Sequence, residues 1–124
     1  MFRELYKGKR PPRFRPYCDF DPELDLIEML SRDCSFTDHL INRCLSILTD
    51  NHPEPRQNVL VGFRIWGFKS YCFARGISVV KEIDLACVLQ EIDFVFPDPK
   101  TRNAVQKAIP GLLWRSGIRS VDLL

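Results

Sequence analysis

The residues with the widest chemical reach in this chain are two histidines, His39 and His52, and five cysteines, Cys18, Cys34, Cys44, Cys72 and Cys87. A structural zinc centre needs four such ligands, paired closely enough along the chain to converge on one ion. Here Cys34 and His39 stand five residues apart, Cys44 and His52 eight apart, and no CxxC pair occurs. Neither spacing is that of a zinc pair, so no metal site is expected. Nucleophilic catalysis needs a thiol or hydroxyl, a base and a group to orient the base. His39 lies next to Asp38 and His52 precedes Pro53, and nothing in either pattern ties them to a cysteine. The carboxylates Glu82, Asp84, Glu91 and Asp93 read as the solvated side of a helix rather than as an acid–base set. Neither GxGxxG nor GxxxxGK[ST] is present to cradle a phosphate. The expectation is a chain without catalytic residues, cofactor or small-molecule substrate, and not an enzyme.

Binding chemistry is better represented. Residues 1–18 carry Arg3, Lys7, Lys9, Arg10, Arg13 and Arg15 against the single acid Glu4, interleaved with Pro11, Pro12 and Pro16. The prolines break any helix and favour extended backbone, so this segment reads as a basic arm. Lys7, Lys9, Arg10, Arg13 and Arg15 suit phosphate contacts, nuclear import or an acidic partner. A second stretch, Arg64, Trp66, Lys69, Tyr71 and Arg75, combines basic and aromatic side chains. Strand spacing would set Tyr71 and Phe73 on one face, where bases could stack. The pattern is partial, since Ser70 stands where a glycine would follow the basic residue and Gly76 where a last aromatic would fall. A third candidate is apolar: Leu112, Leu113, Trp114 and Ile118 form a stripe beside Arg115, with tryptophan and arginine as frequent interface anchors.

The bulk properties bound these readings. With 124 residues, 45% apolar and 27% charged, the chain is of single-domain size and ordinary globular composition. An odd number of irregularly spaced cysteines points to reduced thiols rather than a disulfide framework. The first residues lack the apolar core of a secretory signal. No stretch approaches a membrane span of about 18 apolar residues. A cytoplasmic or nuclear location is expected.

The elements that must position these groups follow from hydrophobic period. Asp21-Pro22 has the form of a helix start, with Leu24, Ile27 and Leu30 at helical spacing up to Arg32. Ser35 to Asn51 repeats the pattern with Leu40, Ile41, Cys44, Ile47 and Leu48. Together they predict a helical hairpin. Residues 52–58 form a polar loop. Residues 59–66 then alternate as a strand, turn at Gly67-Phe68-Lys69 and continue as a second strand over 71–74. Ser78 caps a further helix, apolar nearly all round and hence central. Asp98-Pro99 starts a short helix, and Pro110-Gly111 breaks it. The predicted architecture is α+β: a basic arm over 1–18, then one domain over 19–124 with a helical hairpin, a small antiparallel β-hairpin and two or three further helices. An all-α fold is the alternative.

Charge falls in blocks along the chain: +5 over residues 1–18, −7 over 19–54, +5 over 55–81, −5 over 82–98 and +4 over 99–124. Either the blocks neutralise one another in the fold, or the basic ones gather on one face. The function expected from these features is that of a small accessory protein acting through protein–protein contacts, with self-association as a further capacity. The alternative is RNA or DNA binding through the basic arm and the basic-aromatic stretch.

Overall fold

Asp21-Pro22 opens a turn, not a helix. A computed structural model describes residues 14–51, 59–78 and 81–123. In it the Asp21 carboxylate accepts the backbone N–H of Glu23 (2.9 Å) and of Leu24 (3.3 Å). Asp25 completes the reversal at φ 49°, a left-handed conformation that short polar side chains tolerate. The chain folds back, and β1 (Tyr17–Asp21) pairs antiparallel with β2 (Leu26–Leu30). Asn42 repeats the device: its side-chain oxygen accepts from the N–H groups of Cys44 (2.8 Å) and Leu45 (3.0 Å). That turn joins β3 (Phe36–Leu40) to β4 (Leu45–Asp50). The helical hairpin expected over residues 21–51 is therefore replaced by two β-hairpins. Tyr17 and Cys18, assigned to the arm, already belong to the first strand.

The expected strand over 59–66 is present as β5 (Leu60–Trp66). It inserts between the two hairpins, giving an all-antiparallel sheet in the order β1-β2-β5-β4-β3. Cross-strand rows set Met29 against Phe63 and Ile47, and Ile27 against Ile65 and Leu45. These side chains share one face and are the sheet's share of the main core. Gly62 lies beside a register shift at Leu48–Thr49. A Cβ there would fall 2.1 Å from the Met29 carbonyl oxygen, so only glycine allows β5 this close to β2. On the opposite face Leu30, Leu48 and Val61 form a satellite cluster. Tyr17, Phe36 and Cys34 from the 31–35 crossover pack against it.

The second strand expected over 71–74 is instead helical. Gly67, at φ 76°, turns the chain into α1 (Phe68–Ala74). The first-turn N–H groups of Lys69 and Ser70 are accepted by Asp25, at 3.1 and 2.8 Å. An acceptor 44 residues upstream thus does what a helix cap normally does locally. Asp25→Ala is expected to lower stability by about 1–2 kcal/mol, read from the urea midpoint. Asp25→Asn, which keeps an acceptor and tolerates the left-handed turn, should cost less. Equal midpoints for wild type and Asp25→Ala would remove the capping role.

The remaining elements cover the Phe63 face. The helix expected from Ser78 starts later: β6 (Glu82–Asp84) intervenes, and Asp84 caps α2 (Leu85–Val95) through the Ala86 N–H. α2 buries Leu85, Val88, Leu89 and Ile92 but leaves Ala86, Cys87 and Phe94 exposed, so it is an outer amphipathic helix rather than a central one. Asp98-Pro99 is a true helix start, with Asp98 accepting from the Thr101 N–H at 2.9 Å. α3 (Pro99–Asn103) passes through a π turn at Ala104–Ala108 into α4 (Ile109–Ser116). Pro110 does not break this run. The wider turn upstream, closed by Ile109 N–H to Ala104 O, shifts the ladder at the position where proline would clash with the preceding turn. β7 (Ser120–Asp122) returns to pair with β6. The class is α+β: a five-stranded antiparallel sheet with helices on one face and a two-stranded ladder beside them.

Candidate functional site

Arg64 lies on the sheet face away from the helices. Its Nε donates to Glu28 at 2.7 Å and its Nη1 to Asp38 at 2.9 Å. The guanidinium also sits 5.2 Å from the centroid of the Phe36 ring. Tyr17 Oη donates to the other Glu28 oxygen at 2.9 Å. A residue offered as a candidate for nucleic-acid or acidic-partner binding is thus held by two carboxylates and stacked on an aromatic. The blocks of opposite sign meet here, Arg64 from 55–81 with Glu28 and Asp38 from 19–54. They meet again where Arg102 lies 3.7 Å from Asp93. Arg64 and Arg102 thus pair across blocks, whereas Arg32 bonds Asp50 at 3.1 Å within the 19–54 block.

Burial, followed by the Glu28 hydrogen bond and charge, pushes the Tyr17 hydroxyl up to about 12. A tyrosine ordinarily titrates near 10. Its neutral form is therefore favoured by the fold, and that contribution is whole below pH 10 and lost as pH rises through 12. Tyr17→Phe is expected to flatten the fall in denaturation midpoint over this window. Identical pH profiles for the two proteins would show that the hydroxyl does not couple to folding.

The other basic-aromatic residues are not gathered on a sheet. Trp66 ends β5, while Lys69, Tyr71 and Phe73 belong to α1. Lys69 Nζ donates to the Leu123 carbonyl at 3.2 Å and lies 5.4 Å from the Phe20 ring centroid. Arg75, at the end of α1, stacks on Tyr71 at 5.5 Å and donates to its hydroxyl at 3.1 Å. Phe73 is 86% exposed on a helix. Arg15 is exposed just before β1. Lys7, Lys9, Arg10 and Arg13 lie outside the described residues.

The apolar C-terminal stripe divides along α4. Leu112, expected on a partner surface, is only 2% exposed and belongs to the core. It shares with Ile109 the helix stripe turned to the sheet. Leu113 and Ile118 are half-buried and Arg115 is exposed. Trp114 is 79% exposed. Beside it runs a furrow between α2 and α4, made of hollows of about 270 and 370 Å³. They adjoin through Ala86, Pro110 and Leu113. Trp114, Ile118 and Arg119 border one end, and Gln106 and Asp93 the other.

A further cavity of about 310 Å³ lies where β5 runs into α1. Ile65, Trp66 and Phe68 form its floor, and Ile92, Val95 and Phe96 from the end of α2 face them. Arg43 closes the side next to the β3–β4 turn. The sequence carries no local sign of this site, because its walls come from segments that meet only in the folded chain.

Among the described residues no group of three or more His, Cys, Asp and Glu could hold a metal ion. His39 Nε2 lies 2.7 Å from Thr49 Oγ1. No helix among the described residues is long and apolar enough to cross a membrane. In comparison with known proteins, no family model, curated protein or solved structure matches this chain.

Proposed function

We propose that this chain is a non-enzymatic interaction module that acts through protein–protein contacts, with Trp114 and the α2–α4 furrow as its docking face. The observation that carries the reading is a tryptophan left almost wholly in solvent beside adjoining hollows with apolar walls. Exposing so large an apolar side chain forgoes the roughly 25 cal/mol per Å² that burial would return. Tryptophan and arginine are the side chains that most often dominate binding energy when a pocket of a partner closes over them; Arg119 borders the furrow beside Trp114, while Arg115 lines a separate hollow with Pro16 and Arg32. Leu113 and Ile118, half-buried at the base, would complete their burial under the same partner. A second copy of the chain is the simplest such partner, since it would carry both a Trp114 and a furrow to receive one.

Light scattering over a concentration series tests this directly. Wild type is expected to associate, and Trp114→Ser to weaken association by about 30-fold, the effect of losing an anchor worth about 2 kcal/mol. In a Trp66→Phe background, emission from Trp114 should shift to the blue as association proceeds. A strict monomer with unchanged Trp114 emission, retaining no partner in a pull-down, would count against the proposal.

A further inference from the structure

The cavity at the end of β5 joins an apolar body to a positive charge, Arg43, that forms no ion pair among the described residues. Its 310 Å³ is at the lower end of ligand-site volumes and about twice the ~150 Å³ void that admits benzene. Trp66, Phe68, Val95 and Phe96 are among the residues that line it, an aromatic and aliphatic surface suited to a planar body.

Arg43 supplies the polar element. Its guanidinium sits 5.9 Å from the Phe96 ring centroid, and among the described residues no carboxylate pairs with it. Its position is fixed by its neighbours. Asn42 accepts from the Cys44 and Leu45 N–H groups and donates its amide to Thr101 Oγ1 at 3.0 Å. The Trp66 N–H bonds to the Cys44 carbonyl at 2.8 Å. The turn bearing Arg43 is thereby tied both to the helix layer and to the cavity floor. Glu91 also reaches the wall, but its carboxylate accepts the Tyr71 hydroxyl at 3.0 Å, and Arg75 stacks on that tyrosine. Glu91 is thereby engaged by Tyr71, and Arg43 is the cation that borders the cavity among the described residues.

We infer that this cavity binds a flat aromatic monocarboxylate of one or two rings, its ring system between Trp66 and Val95 and its carboxylate on Arg43. The fork of a guanidinium matches the two oxygens of a carboxylate, and Arg43 presents it from the exposed rim of the cavity. This site is separate from the α2–α4 furrow and does not depend on it.

Calorimetric and NMR titrations of the full chain with 2-naphthoate, 2-naphthalenemethanol and 2-naphthylmethylamine test it, because the probes share one ring system and differ in charge. The acid is expected to bind at least about tenfold more tightly than the alcohol, as one charge-assisted hydrogen bond provides, and to shift the Trp66 indole N–H. Arg43→Gln should abolish that preference and leave the alcohol's affinity unchanged. Val95→Trp, which fills the space from a partly exposed position, should abolish binding of both, with the thermal midpoint confirming that it is folded. Equal affinity for acid and alcohol, a preference for the amine, an unaltered preference in Arg43→Gln, shifts at Trp114 instead of Trp66, or no binding at millimolar acid would each overturn the inference.

Discussion

Gly62→Ala is expected to lower stability by about 3 kcal/mol, the upper end of what overpacking a tight site costs. The added methyl would lie 2.1 Å from the Met29 carbonyl oxygen and 3.1 Å from Leu48 Cδ1. The leucine end can rotate away, but the carbonyl is part of β2, which pairs with β1 on its other side. Relief therefore requires β5 to move from β2 in the middle of the sheet, where Gly62 faces Leu30 and Leu48 on either side. Urea denaturation measures the loss, and faster amide exchange at Met29, Leu30 and Ser31 would locate it. A loss below about 1 kcal/mol, within the scatter of ordinary substitutions, would show that the strands separate more easily than this packing allows.

Phe63→Ala is expected to cost about 3–5 kcal/mol. Phe63 is wholly buried and stands in the central strand, between Met29 and Ile47. Its ring faces the helix layer, so truncation leaves a void bounded by sheet and helices that cannot collapse without shifting both. For a domain of marginal stability, typically about 5–15 kcal/mol, this is a large share. Chemical denaturation at fixed temperature is the measure. Val61→Ala, in the smaller cluster under the 31–35 crossover, should cost less because its cover is a loop that can settle inward. A larger loss at Val61 than at Phe63 would place the dominant core on the wrong face of the sheet.

How far the fold was legible can be read from particular residues. β5 was plain because Val59, Val61, Phe63 and Ile65 alternate with a second set that includes Gly62 and Arg64. β2 and β4 were not, because the satellite cluster makes their second face apolar as well. Leu26 and Leu30 lie opposite Ile27 and Met29, and Leu48 lies opposite Ile47. Adjacent apolar residues that face opposite ways in a strand imitate the edge of a helical stripe. Asp21-Pro22 and Asp98-Pro99 are identical dipeptides with identical side-chain chemistry. One closes a hairpin turn and the other starts a helix, and the downstream residues decide between them. Thr49 in β4 and the run Thr37-Asp38-His39 in the edge strand β3, all poor for helix, were the available correctives.

The candidate sites divide in the same way. Trp114, Leu113, Arg115 and Ile118 stand out as interface candidates from composition and spacing, and Trp114 and Arg115 lie in solvent at the surface. Leu112 was misassigned because a stripe does not reveal which of its members faces inward. The Arg43 cavity was invisible, since a turn arginine and the end of a helix carry no shared pattern. Asp25 capping α1 was likewise beyond local reading, as donor and acceptor lie 44 residues apart in the chain.

The insertion of β5 between two finished hairpins bears on how the molecule is made. β1–β2 and β3–β4 each close over a few residues and can form as soon as they are synthesised. Neither hairpin touches the other in the sheet, and β2 and β4 each present an open row of backbone donors and acceptors until residues 60–66 arrive. Such unpaired edges on a nascent chain invite pairing with other chains. The step that joins the halves must also bring residue 30 to residue 62, a long-range closure of the kind that slows folding. During synthesis this protein would have the greatest need of a chaperone in the interval between emergence of β4 and emergence of β5.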